Sequence, residues 1–217
     1  MERCWRRGNG SDGGSPAALM AAESTVLVIG IGNLLRQDDG VGRWLVEDLA
    51  QEKRAQEKRA QESPARESLA QQDWSRRMPE LQLRPCHQLL PELAEDLARS
   101  ERVLFVDAWL AGAGDPGSDQ PRLERLDSAS RQGEPGPEGD ADDSVEGGLG
   151  AHRCGPEQLL QLCAWAYGHR PAAWVLLVPG EHFGHGTHWS PRLQRQLPEA
   201  RALLRRWLAG PEDACTN

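Results

Sequence analysis

Three short apolar runs punctuate the chain: Thr25–Ile31 (TVLVIGI), Arg102–Val106 (RVLFV) and Ala173–Val178 (AWVLLV). Each has strand length and is nearly free of polar positions, the pattern of a parallel strand buried on both faces. Between them the apolar residues fall at helical spacing. Over Asp38–Ala50, acids at the start and Val41, Leu45 and Leu49 at intervals of four predict a helix. Leu89–Arg99 reads as a helix with Leu89, Leu93 and Leu97 on one face. Gly155–Tyr167 reads as another, with Pro156 in its first turn, Leu159, Leu160, Cys163 and Tyr167 as its apolar members, and Gly168 as its stop. Ser190-Pro191 supplies an N-cap and first-turn pair for a terminal helix to Leu208, which Pro198 should kink or split and Gly210-Pro211 closes. Leu81–Cys86 and Pro121–Asp127 are the remaining candidate strands.

Strands alternating with helices at this spacing predict a three-layer α/β/α fold with a mostly parallel central sheet, of the phosphorylase/hydrolase-like kind. A single domain over residues 24–210 is expected, with residues 1–23 as a disordered leader and 211–217 as a tail. Polar inserts interrupt it at about 51–77 and 113–150. The first insert opens with the direct repeat QEKRAQEKRAQE, which has high helix propensity but no apolar stripe, and predicts a solvated extension of the preceding helix. The second contains Gly133–Gly150, rich in Gly, Pro and acids, and is expected to be a flexible loop.

Composition narrows the function. The chain has 217 residues with a formal net charge of -8, which argues against a nucleic-acid binder. No apolar run approaches the roughly 18 residues of a membrane span. Arg6-Arg7 is followed by a Gly/Ser-rich stretch without an apolar segment, so export is not expected. The five cysteines, Cys4, Cys86, Cys154, Cys163 and Cys215, are odd in number and form no C-x-x-C, which fits reduced thiols and a cytoplasmic protein.

In parallel sheets flanked by helices the ligand site lies beyond the carboxyl ends of the strands. Three candidate positions fall there. The loop Gly30–Gly42 (GIGNLLRQDDGVG) follows the first strand, where a nucleotide-binding loop would also sit. A G-x-G-x-x-G fingerprint from Gly30 needs glycine at 35, where Leu35 stands, and the carboxylates of Asp38 and Asp39 would repel a phosphate. Both acids could instead complement a helix dipole. Asp107 follows RVLFV directly, as a ligand, a catalytic group or a turn residue. His152 precedes the helix opened by Pro156; a lone loop histidine is often without special role. Two carboxylates and one imidazole from separate loops suit a divalent metal such as nickel, iron, manganese or zinc, with positions left for water or substrate. Cys154 is a competing ligand. His182, His185 and His188 form an H-x-x-H-x-x-H run that reads as a solvated loop or an accessory nickel contact. Trp44, Trp109, Trp165, Trp174, Trp189 and Trp207 are expected mostly in the core or its rim, with Trp109 placed to wall a substrate groove.

GIGNLLRQDDGVG resembles the signature of the hydrogenase maturation protease family, G-x-G-N-x-L-x-x-D-[DE]-G-x-G. Three further stretches agree in order: HQLLPELAEDLARSERVLFVDA (87–108), AHRCGPEQLLQLCAWAYG (151–168) and VLLVPGEHFGHGTHWSP (175–191). Gly150-Ala151 replaces the small residues that often precede the family's histidine. The resemblance implies a parallel sheet flanked by helices and a metal-site trio that falls on Asp39, Asp107 and His152. It also implies an endopeptidase that trims the C-terminal extension of the large-subunit precursor of a nickel–iron hydrogenase once nickel is installed. Nickel would be carried by the substrate, although another divalent metal would suit the same ligands. Either the three residues hold a metal that activates water, or they dock onto nickel in the precursor while Asp38 or Asp107 acts as general base. A non-cleaving, nickel-dependent chaperone or checkpoint would use the same ligands, and a nucleotide-binding regulator is a further alternative on this fold.

Overall fold

The computed structural model describes residues 25–62, 80–110, 120–126 and 154–210. The leader, much of both inserts, His152 and the tail lie outside them. Among the described residues five strands form one sheet: β1 (Thr25–Ile31), β2 (Glu80–Cys86), β3 (Arg102–Leu110), β4 (Arg122–Arg125) and β5 (Ala172–Gly180), in the order β2-β1-β3-β5-β4. All neighbours are parallel except β4, which runs antiparallel to β5. The helices are α1 (Val41–Glu62), α2 (Leu93–Ala98), α3 (Pro156–Tyr167) and α4 (Pro191–Ala209). The expected mostly parallel three-layer architecture is therefore the one observed.

Alternation along the strands builds the two cores. On one face Val26, Val28, Leu104, Val106, Leu176 and Val178 pack under Leu45 and Leu49 of α1 and Leu204 and Trp207 of α4. On the other, Leu27, Ile29, Val103, Phe105 and Val175 pack under Leu97 of α2 and Leu159, Leu160 and Cys163 of α3. The central strands supply both cores, which is why their sequences read as continuous apolar runs.

The elements differ from expectation at several ends. The helix expected from Leu89 forms only over Leu93–Ala98; Pro91 opens it with three-residue turns, including Leu93 N–H to Leu90 C=O at 3.1 Å, while Leu89 still reaches the core. Pro198 does not split the terminal helix, which runs unbroken from Pro191 to Ala209. Pro198 lies on the exposed face, where water can satisfy the carbonyl it leaves unpaired. Ser190 caps that helix as expected, accepting from the Leu193 N–H at 3.1 Å. The repeat does extend α1 as a solvated helix to Glu62, tied back by Lys53 Nζ to the Leu81 carbonyl at 3.0 Å and by Arg205 to Glu52 at 2.8 Å. Of the tryptophans, Trp165 is 85% exposed rather than part of the core.

Two glycines of the first loop let α1 start where it does. Gly32 has φ +137°, and a β-carbon there would run into the carbonyl oxygen of Asp39. Gly42 lies against the sheet, and its β-carbon would collide with the carbonyl of Val106 and approach that of Ile31 to 2.6 Å. Both obstacles are backbone, so α1 would have to back away from β1 and β3. Gly42→Ala is expected to cost about 1–3 kcal/mol, in the range of other overpacking changes. Urea unfolding checks this, and an unchanged midpoint would show that the helix start can shift freely.

Candidate active site

The strand order places a topological switch point between β1 and β3. The chain leaves β1 into α1 on one face, and enters β3 from α2 on the other. Such crevices, beyond the carboxyl ends of the strands, are where α/β sheets hold ligands. Asp38 and Asp39 come from the loop after β1 and Asp107 from β3, so all three stand at this crevice.

Asp107 is not past the end of its strand, as the apolar run alone suggested. β3 continues to Leu110 because β5 continues beside it, from Asp107↔Leu177 to Leu110↔Gly180. Its pairing with the other neighbour, β1, has ended by then, the last pair being Gly30↔Val106. Asp107 is therefore half-buried at a step in the sheet, where one side lies open to the loop after β1. Its Oδ1 accepts from the Ala108 N–H at 2.8 Å. The Cys86 thiol, at the carboxyl end of β2, lies within its electrostatic reach. Burial and the Asp107 carboxylate, opposed by Arg43, push that thiol's pKa up to about 11 and keep it protonated at neutral pH.

Asp39 belongs to a single 3-10 turn, Gln37–Gly40, that packs against β3. Its Oδ2 accepts from the Asn33 N–H at 2.8 Å, and Asn33 Oδ1 accepts from the Leu35 N–H at 2.9 Å. These local bonds shape the loop and hold the Asp39 side chain toward its own strand end.

Asp38 is differently placed. It is wholly buried, and its carboxylate accepts three backbone N–H groups from the distant 181–190 loop: Glu181 at 2.8 Å, His182 at 3.1 Å and Ser190 at 2.8 Å. The Asp38 N–H donates in turn to the His182 carbonyl at 3.0 Å. Around it, Arg36 donates to the Phe183 carbonyl at 3.2 and 3.0 Å, and Gln37 N–H to Gly186 C=O at 2.9 Å. Burial by itself raises the Asp38 pKa, but the amides of Glu181, Ser190 and His182 and the Ser190 hydroxyl outweigh it, and the net shift is downward. A carboxylate so occupied is a weak base and has little room to take a proton from water. Its geometry is that of a clamp between two loops.

Asp39 and Asp107 are thus brought to one crevice, while His152 lies outside the described residues. Among the described residues no group of three His, Cys, Asp or Glu side chains gathers to hold a metal ion. Cys154, the competing ligand, is partly buried against the apolar cluster under α3, and burial raises its pKa. His182, His185 and His188 are exposed; only the backbone of His182 is engaged, with Asp38. Cys86, Cys154 and Cys163 are free thiols. No described helix is long and apolar enough to cross a membrane. Pattern reading missed the clamp, although its two halves, the Asp-Asp pair and the stretch VLLVPGEHFGHGTHWSP, were both among the segments that resemble one family.

The strand order and the acids at its switch point define an α/β/α protein with carboxylates at the crevice beyond the carboxyl ends of its strands. Solved structures with the same fold include hydrogenase maturation endopeptidases, as the loop signature implied. The hydrogenase maturating endopeptidase HybD from E. coli superposes with a TM-score of 0.54 at 18% identity, covering 85% of this chain and 91% of that one. The NiFe hydrogenase maturation protease HycI from Thermococcus kodakarensis gives 0.51 at 14% identity, covering 89% and 97%. HybD from Thermococcus kodakarensis gives 0.50 at 15%, covering 85% and 99%. No protein-family model matches this sequence, and no curated protein does.

Proposed function

We propose that the chain is a cytoplasmic endopeptidase that removes the C-terminal extension of the large-subunit precursor of a nickel–iron hydrogenase after nickel has been installed. The observation that carries this reading is the placement of Asp39 and Asp107 on either side of the switch point, in a fold shared with maturation endopeptidases. In this reading Asp39, Asp107 and His152 contact the nickel carried by the precursor. The ion is thus part of what is recognised, and an incomplete precursor lacks it. Carboxylates and an imidazole suit nickel in its divalent state.

Hydrolysis then needs a base near the ion. Asp38 is fully engaged with backbone amides, so Asp107 is the better candidate. It takes a proton from water, the resulting hydroxide attacks the scissile carbonyl, and the proton passes to the departing amine as the C–N bond breaks. The test is mass spectrometry of nickel-loaded and nickel-free precursor after incubation with a catalytic amount of this protein. Release of a C-terminal peptide from the loaded form alone is expected. An intact precursor in both samples, with a stoichiometric complex on gel filtration, would make the protein a non-cleaving checkpoint.

A further inference from the structure

One transverse row of the sheet carries chemistry that the proposed reaction has not used. Cys86 pairs with Ile31, Asp107 pairs with Leu177, and Leu177 pairs with Arg122. Residues in one row point to one face. Ile31, Cys86 and Leu177 all pack on the α2/α3 side, so Asp107 and Arg122 face that side too. Trp109, two residues beyond Asp107, shares it.

Arg122 reaches diagonally across β5 and lays its guanidinium 4.1 Å above the Trp109 ring. Its Nε lies 2.7 Å from Glu124 Oε1, close enough for an ion pair though not aligned as a hydrogen bond. The ring and the carboxylate hold the guanidinium flat while 39% of the side chain remains exposed. A cation is thereby fixed over the carboxyl end of β3. Asp107 and Trp109 are about 7 Å apart along the strand.

We propose that Arg122, seated on Trp109 and pinned by Glu124, is a specificity-determining residue that takes a carboxylate of the substrate's departing tail. The inference rests on the endopeptidase reading. Asp39 and Asp107 put two carboxylates at the crevice, with Arg43 near its Cys86 end, in a chain of net charge -8. An anionic group on the tail is repelled from the acids and held by the guanidinium fork, which matches carboxylate geometry. With the scissile bond at Asp107, an extended chain covers that distance in about two or three residues. Arg122 therefore sets the direction in which the peptide crosses the site, its tail running toward β4. The carboxylate is either an acidic side chain at that distance or the chain terminus of a very short tail.

The experiment compares wild type, Arg122→Gln and Arg122→Lys on nickel-loaded precursor. Two substrate arms accompany it: one with acids in the first residues of the tail changed to amides, one with the terminal carboxylate amidated by semisynthesis. Circular dichroism and the unfolding midpoint check the fold of each variant. Arg122→Gln is expected to raise KM about tenfold to a hundredfold, the effect of losing one charge-assisted hydrogen-bonded contact, with kcat nearly unchanged. Arg122→Lys should recover part of the loss. One neutralised substrate should reproduce the loss with wild type and add nothing with Arg122→Gln, and which one does so names the carboxylate. Normal cleavage by wild type with no such coupling in either arm overturns the subsite and leaves the endopeptidase reading intact. If wild type binds precursor without cutting it, the endopeptidase reading falls, and the same coupling read in Kd decides the subsite. Absence of both cleavage and binding removes both.

Discussion

Asp107→Asn should abolish precursor processing while leaving the fold and its stability nearly unchanged. The amide has the shape of the carboxylate, and its oxygen can still accept the Ala108 N–H that Asp107 Oδ1 accepts at 2.8 Å. What it cannot do is take a proton from water, or offer negative charge to a divalent ion. Loss of a general base lowers the rate by about 10²- to 10⁴-fold, and loss of a metal contact in the same group adds to that. Mass spectrometry of precursor incubated with the variant should show the intact chain at times when wild type has finished. Circular dichroism and the thermal midpoint should match wild type. Full activity would remove Asp107 from the reacting groups and return the role of base to another residue.

Asp38→Ala should behave in the opposite way, with a folding defect that precedes any catalytic one. It leaves three N–H groups of the 181–190 loop without their acceptor, in a place where the parent side chain has no exposure to water. Buried donors left unpaired cost about 1–3 kcal/mol each. Water entering the vacated space recovers part of this, so a net loss of about 3–5 kcal/mol is expected from denaturant unfolding, comparable to breaking a buried ion pair. Asp38→Asn should lose less, because one oxygen remains to accept. The shift of Asp38 also gives stability a pH signature. Its folded pKa lies below the usual value of 3.8, so the unfolded chain takes up this proton first as pH falls. The stabilisation is complete above the unfolded pKa and disappears as pH drops through the lower folded value. Acid unfolding of wild type should therefore steepen below about pH 4, and Asp38→Asn should lack that component. A variant as stable as wild type, with the same acid limb, would mean the 181–190 loop is held by Arg36 and Gln37 instead.

Together the two variants separate neighbouring parts of one crevice. Both aspartates end up at the same switch point, and in the sequence both stood as candidates for the general base. Their difference comes from what surrounds each. Asp38 is saturated by amides of a loop that lies 143 to 152 residues further along the chain. Asp107 stands where the pairing of β3 with β1 stops and that with β5 continues, and its side chain is half-buried.

Much of the fold was legible because it rests on local signals. TVLVIGI, RVLFV and AWVLLV announced strands since each supplies both cores, and leucines at intervals of four marked the helix faces. Ser190-Pro191 marked a helix start because the cap bond spans only three residues. The end of α1 in a charged repeat was readable from propensity. Two prolines, Pro91 and Pro198, account for differences from expectation, in opposite directions. The first shortened a helix by replacing its opening with turns, and the second was tolerated because its orphan carbonyl faces water.

The sequence by itself determined which segments become strands and helices and that acids follow the first two of the apolar runs, TVLVIGI and RVLFV. It did so because burial and helical period are written in consecutive side chains. Only the tertiary structure decided that Asp38 is a clamp, that Asp107 lies inside a strand at a step in the sheet, and that Arg122 crosses β5 to rest on Trp109. Those outcomes depend on backbone amides, strand lengths and register between distant segments. Backbone groups are the same at every residue, and so leave no mark in the sequence of the side chains they bind.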